Sequence, residues 1–259
     1  MAKTKAKVKD LVGLYLSSLS VSRVDTNIGR CYATNEEDPE TYRPSVTTIE
    51  NIISKGKLFE VWLANFGGYD KVQKYVGKKA DDGTLVHDYI DELILNGSVK
   101  VEEDTEYHIK KYIQSFQAFW DEHKPIPVAS ELMLYHKGYF TSGTCDFIGY
   151  IDGKLAIIDW KTGNEYPTSH RIQLCAYKEL FNMIFPNDKI EEIYGLYIKG
   201  TWRKKPTFKL RKYEYDPNIT TSLWNVWKFN VKCNRTKIAK LREGNLPNDY
   251  KIEGALNGK

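Results

Sequence analysis

Three consecutive apolar segments of period two, at residues 128–135, 139–151 and 154–160, constrain this chain more than any other feature. Lys137-Gly138 separates the first two and Asp152-Gly153 the last two. Asp-Gly between alternating apolar runs is a strong signal for a two-residue hairpin turn. The spacing therefore predicts three successive antiparallel strands. Downstream, the pattern predicts a helix over 169–185, strands at 193–199 and 207–215, and a helix over 217–242. Upstream, Leu85, Tyr89 and Leu93 with Val86, Ile90 and Ile94 form an apolar stripe at helical spacing, which predicts a helix over 84–95 that stops at Gly97. A second helix is expected over 105–121, with Tyr112, Phe116 and Phe119 inward. From residue 84 the order is α-α-β-β-β-α-β-β-α. That order indicates an α/β (α+β) fold with a mixed central β-sheet flanked by helices.

The N-terminal third is less regular. Residues 1–43 read as a solvated basic tail followed by a hairpin-like extension. A helix is expected over 47–65, with Thr47 and Glu50 at capping-box spacing and Gly67-Gly68 as its break. The chain thus divides into the extension 1–43, a helical region 44–127, a core 128–245 and a loose tail 246–259, in what reads as one compact unit. The net charge of +4 over 259 residues is compatible with a polyanionic partner without requiring one. The four cysteines, Cys31, Cys145, Cys175 and Cys233, form no close pair, which fits a reducing compartment. No apolar run approaches a membrane span, so no membrane partner and a cytoplasmic location are expected. No phosphate-binding Gly-x-x-x-x-Gly-Lys-[Ser/Thr] loop is present, so no nucleotide cofactor is expected.

The chemistry concentrates around the second hairpin. If Asp152-Gly153 is the turn, Ile151 pairs with Lys154, and counting outward without a bulge places Asp159 opposite Asp146. Their β-carbons would then lie about 5 Å apart, where like charges destabilise a ladder. A divalent cation is the natural compensation, because hard carboxylate oxygens bind Mg²⁺ or Mn²⁺. Asp159 and Lys161 are two apart and share a face with Leu155 and Ile157. Two acids and an ammonium converging at the end of an apolar strand is an expensive arrangement for structure alone. On the following helix, Gln173 and Tyr177 are four apart and lie on one face.

The pattern Gly143-x-x-Asp146, then Asp159-x-Lys161, then Gln173-x-x-x-Tyr177 resembles the PD-(D/E)XK nuclease superfamily. The expected α-β-β-β-α-β order is similar to the restriction-endonuclease-like core of that superfamily. The Gln-x-x-x-Tyr element resembles its RecB-like exonuclease branch. Pro44-Ser45-Val-Thr47, Gly83-Thr-x-x-His87, Glu131 and Ile158-Asp-Trp-Lys-Thr162 look similar to the mitochondrial genome maintenance exonuclease group and its phage-like relatives. The likeness runs from roughly residue 40 to 230. Size and the missing transit signal fit a phage or bacterial version, acting in the host cytoplasm if phage-encoded.

The resemblance implies a metal-dependent deoxyribonuclease acting on single-stranded DNA ends, in replication, recombination or repair and alongside phage or host proteins of those processes. Asp146 and Asp159 would be carboxylate ligands of Mg²⁺ or Mn²⁺, with His87 as a nitrogen ligand and the Trp160 carbonyl as a further one. Lys161 would orient the attacking water or neutralise charge on the transition state. Gln173 and Tyr177 would position the nucleotide or Lys161. Glu131 would support the centre by holding a metal-bound water. Ser45, Thr47 and Thr162 would touch substrate. The basic stretch Trp202-Arg203-Lys204-Lys205 could track a phosphate backbone. Some relatives hold an iron–sulfur cluster with three clustered late cysteines. Only Cys233 lies late here, so no cluster is expected. A structure-specific or restriction-type endonuclease, an RNA nuclease and a non-catalytic DNA-binding module on the same fold remain open alternatives.

Overall fold

The turn between the second and third expected strands forms with both central residues at positive φ, 50° at Asp152 and 84° at Gly153. That is the twist a two-residue hairpin needs. The structure is a computed structural model that describes residues 2–26, 28–54 and 56–241. The expected tail 246–259 and the end of the expected core lie outside the described residues.

In chain order the elements begin with α1 (Ala2–Ser18), β1 (Ser22–Thr26), β2 (Gly29–Ala33), β3 (Arg43–Pro44) and α2 (Val46–Glu50). They continue with α3 (Lys57–Asn65), α4 (Tyr69–Asn96), α5 (Tyr107–His123), β4 (Ile126–Leu134), β5 (Gly143–Ile151) and β6 (Lys154–Lys161). α6 (Pro167–Ile184), β7 (Glu192–Ile198), β8 (Phe208–Tyr213) and α7 (Ile219–Leu241) complete the described chain. The five later strands form one sheet in sequence order, antiparallel except where β6 and β7 run parallel. The parallel pair requires a crossover, and α6 supplies it. This is the mixed sheet flanked by helices expected from the α-β-β-β-α-β pattern. β1, β2 and β3 form a separate small antiparallel sheet.

β6 is buried on both faces, from Leu155 to Trp160, as a central strand must be. One face, with Leu155, Ile157 and Ile148, packs against Leu174, Leu180 and Phe181 of α6. The other, with Ile158, Trp160 and Phe147, packs against Val86 and Ile90 of α4 and against Phe116 and Phe119 of α5. A third core joins β2 and α2 to α7 through Cys31, Ile49, Trp224 and Trp227.

Several boundaries differ from the sequence reading. The expected basic tail is instead the helix α1, because Val8, Leu11, Val12 and Tyr15 fall on one face of it, while Lys7 and Lys9 are exposed. Val8 and Val12 are buried against the α6 side of the sheet. Tyr15 hydroxyl donates to the Tyr135 carbonyl at 3.1 Å and accepts from the Tyr135 amide at 2.9 Å. The expected helix over 47–65 is two helices, one ending at Glu50 and the next starting at Lys57. Its cap is not Thr47 with Glu50. Helix α2 starts earlier, and Ser45 Oγ accepts from the Thr48 amide at 3.0 Å. The helix expected at 84 begins at Tyr69, just after the Gly67-Gly68 break. The strand expected from 139 begins at Gly143, because Ser142 is drawn aside to pair with the backbone on either side of Ser45.

Candidate active site

The ladder between β5 and β6 follows the expected register from Ile151–Lys154 to Phe147–Ile158 and stops there. Asp146 and Asp159, the next pair outward, do not complete it. The Trp160 amide instead donates to Asp146 Oδ2 at 2.8 Å, so a side chain takes a ladder position. Asp159 pairs through its backbone with Gly195 on the other side. The expected register thus holds to the pair adjoining the two acids, and the ladder hydrogen bonding ends there. The two acids are neighbours at the strand ends, with one of them locked by the other strand's amide.

On its other edge β5 meets β4, and the two strands switch face together at the site. Ala129 and Ile148 are opposite each other and belong to the α6-side core, as do Leu132 and Cys145. Residues three apart cannot share a face of a regular strand. The switch falls between them, at Glu131 and Asp146, where the pairing skips from Ser130–Phe147 to Leu132–Cys145. Glu131 carries φ of +48°. A left-handed backbone costs a residue with a β-carbon about 1–2 kcal/mol. That cost re-aims the carboxylate. Glu131 Oε1 lies 3.6 Å from His87 Nδ1, and Asp146 Oδ1 lies 3.8 Å from the same nitrogen.

His87, Glu131 and Asp146 each present one ligand atom, all within 4.8 Å of one another. An imidazole nitrogen and two carboxylate oxygens at that spacing suit a divalent cation such as Mn²⁺ or Mg²⁺. Asp159 adds an independent indication. It is 1% exposed, and its Oδ1 has no hydrogen-bond partner among the described residues. Its Oδ2 is met by the Lys161 ammonium, with Nζ at 2.5 Å. A buried carboxylate with unfilled acceptor positions is costly unless a cation completes its shell.

Lys161 is held from the other side. Its ammonium donates to Gln173 Oε1 at 3.1 Å, and Gln173 Nε2 donates to the Tyr177 hydroxyl at 3.2 Å. The pair predicted to share a helix face thus forms a short relay ending on the lysine. Gly143 belongs to the same relay: a β-carbon there would lie 2.8 Å from Tyr177 Cε1.

Burial pushes the carboxyl groups of Asp146 and Asp159 above their ordinary range. Burial alone would pull Lys161 down, but Asp159 and Asp146 outweigh it and hold the ammonium above its usual value. His87 behaves likewise: burial opposes protonation, yet Asp146 and Glu131 push it up to about 9. In the metal-free chain the centre is thus organised around positive charge on His87 and Lys161.

A cavity of about 660 Å³ opens on this cluster. The two aspartates, Lys161, His87 and Glu131 line it, as do Gln173 and Tyr177. Ser45, Thr47 and Thr162 line it as well. Ser45 Oγ is already engaged, capping α2 and lying 2.9 Å from Thr47 Oγ1. Trp160 contributes backbone only, since its side chain is buried against Phe116 and Phe147. Trp202, Arg203, Lys204 and Lys205 are not among the lining residues. Trp202 is held on α5, where its carbonyl accepts from Lys111 Nζ at 2.8 Å.

Sequence reading missed Arg23, Arg30 and Lys79, which also line the cavity. The arginines arrive on the small sheet, whose position no local pattern encodes. Lys79 was findable: it stands two turns before His87 on a helix whose early start was overlooked.

No protein family's sequence profile matches the chain, and no curated protein matches it. Among solved structures, an alkaline exonuclease from Laribacter hongkongensis is similar over 77% of this chain and 94% of that one, with a TM-score of 0.35 and 9% identity.

Proposed function

We propose that this protein is a metal-dependent DNA exonuclease of the PD-(D/E)XK type that hydrolyses phosphodiester bonds at single-stranded ends. The observation that carries the reading is the convergence of His87, Glu131 and Asp146 on one point beside Asp159 and Lys161. His87, Glu131 and Asp146 would hold the cation, with Asp159 beside them. Glu131 is thereby promoted from a supporting role to a ligand. The Trp160 carbonyl, on the same side of its strand as the amide that Asp146 accepts, would be a further ligand. A divalent cation supplies Lewis acidity at the phosphate and acidifies water.

The remaining work falls to the chain. The Trp160 amide fixes Asp146, so that carboxylate does not have to be ordered when substrate arrives. Lys161 places its ammonium where negative charge grows on the phosphate during attack by water. Gln173 and Tyr177 keep it there. Water adds to phosphorus, the bond to the leaving oxygen breaks, and the products carry one phosphate end and one hydroxyl end.

End-labelled linear single-stranded DNA, incubated with Mg²⁺, with Mn²⁺ and with chelator, tests the reading. Cleavage that needs the cation and falls by at least about a hundredfold in Lys161→Ala is expected. Circular single strands should resist while linear ones are digested. Equal digestion of both identifies an endonuclease instead. Binding without cleavage under every cation identifies a non-catalytic module.

A further inference from the structure

The α3–α4 arm carries features that the carboxylate centre does not use. Phe59, Trp62, Phe66 and Tyr75 form a chain of ring contacts between the two helices, with centroids 4.7–6.0 Å apart. Tyr75 ends this chain 45% exposed, with Lys79 Nζ over its ring at 6.0 Å from the centroid. Beside it lies a second cavity of about 600 Å³, lined by Tyr75, Lys71, Lys74, Lys78, Lys79 and His108. Lys78 is paired with Glu106 and Lys79 with Asp82, whereas neither Lys71 nor Lys74 has an ion-pair partner among the described residues. Lys79 lines both this cavity and the one over the carboxylates, so one side chain borders the two.

Tyr75, Lys79, Gly83 and His87 recur every four residues, so each neighbours the next in a row that winds slowly around α4, by about 40° per step. The run covers about 18 Å at the usual helical rise. Gly83 is the informative member. Glycine inside a helix costs about 1 kcal/mol relative to alanine. Among the described residues nothing crowds the position, since a β-carbon there would meet only Thr162 Oγ1, at an ordinary 3.6 Å. A bare backbone on the path between ring and carboxylates leaves room for something that approaches the helix from outside.

We propose that this row on α4 is a track for a single strand of nucleic acid. Tyr75 is the stacking platform for an unpaired base, Lys71 and Lys74 are phosphate contacts, and Gly83 is the point of close passage into the catalytic cavity. The occupant is a single strand because an exposed ring needs the open face of an unpaired base, which a duplex does not offer, and because the surrounding charge is positive. The inference rests on the nuclease reading only in giving the track a destination.

The test is fluorescence anisotropy of a labelled oligothymidine in chelator, where cleavage cannot intervene. Tyr75→Ala is expected to weaken binding roughly tenfold, and Tyr75→Phe to keep it. The double variant Lys71→Glu, Lys74→Glu leaves the ring contacts alone. It should weaken binding and flatten its salt dependence, by a slope of roughly 0.7 for each phosphate that is no longer neutralised. Gly83→Leu should bind the oligomer at Tyr75 yet digest linear strands more slowly. Unchanged affinity in both the Tyr75→Ala and the double-lysine variants overturns the track, even if wild-type cleavage is robust. Tighter binding of a duplex of equal length overturns it too, as does no binding by the wild type. Binding that depends on these residues in a protein that never cleaves upholds the track and overturns the nuclease reading.

Discussion

Gly143 lies against the hydroxyl-bearing edge of the Tyr177 ring, so close that a β-carbon on the glycine would sit 2.8 Å from Cε1 and 3.1 Å from the hydroxyl. The glycine ahead of Asp146 and the tyrosine after Gln173, far apart in sequence, are thus one steric unit. Gly143→Ala should move the Tyr177 ring, release Gln173 and loosen Lys161. Overpacking of this kind costs about 1–3 kcal/mol of stability. A lowered Tm with a larger proportional loss of cleavage than of DNA binding is the expected outcome. A variant with wild-type cleavage would show that the relay from Tyr177 to Lys161 does not matter.

Metal uptake should depend on pH through His87. Its pKa of about 9 in the metal-free chain means that a cation must displace a proton there at neutral pH. Apparent affinity for Mn²⁺ should rise as pH increases toward about 9 and level off above it. Calorimetric titration in two buffers of different ionisation heat should show proton release on binding, and His87→Ala should abolish it. A stabilisation of about 2.7 kcal/mol is expected for wild type at a cation concentration a hundred times Kd. Asp146→Asn should lose that gain.

Acid stability should depend on Glu192. Hydrogen bonds from Lys154 at 2.5 Å, from Lys212 at 2.8 Å and from the Tyr194 hydroxyl hold its carboxyl down at about 2. A depressed folded pKa stabilises the fold above the ordinary carboxyl range near 4.5, and that stability disappears as pH falls through about 2. Glu192→Gln should therefore unfold more easily at neutral pH, with the difference from wild type shrinking in acid. Both lysines are more than half exposed, so salt should weaken the effect. Chemical denaturation across pH measures it.

Gly77 lies inside α4 with nothing within 4 Å of the position its β-carbon would take. It lies off the row formed by Tyr75, Lys79 and His87. Gly77→Ala should stabilise the helix by about 1 kcal/mol and leave binding and cleavage unchanged. A drop in Tm would mean that α4 is not continuous through this position.

The strand pattern of the sheet was legible because it is local. Period-two alternation and the Asp152-Gly153 turn specify β5, β6 and their register as far as Phe147–Ile158. The ladder hydrogen bonding ends one residue further, at Asp146, because a carboxylate is itself an acceptor and can take an amide that the ladder would otherwise use. α1 was missed because its lysines dominate the composition while four apolar positions set its packing. The start of α4 was missed because residues 69–83 carry little apolar stripe. Their helix depends on the arm and on α5, to which it is bound by Lys78–Glu106 and Asp82–His108.

By itself the sequence determined which residue types can do chemistry here and which strand and helix each sits on, because those follow from spacing within single elements. Tertiary structure alone decided that Glu131 turns left-handed to meet His87, that Gly143 makes room for Tyr177, and that Lys79 borders two cavities. Each of these relationships links elements remote in the chain. They are set by how the sheet's two faces are covered, which no local period encodes.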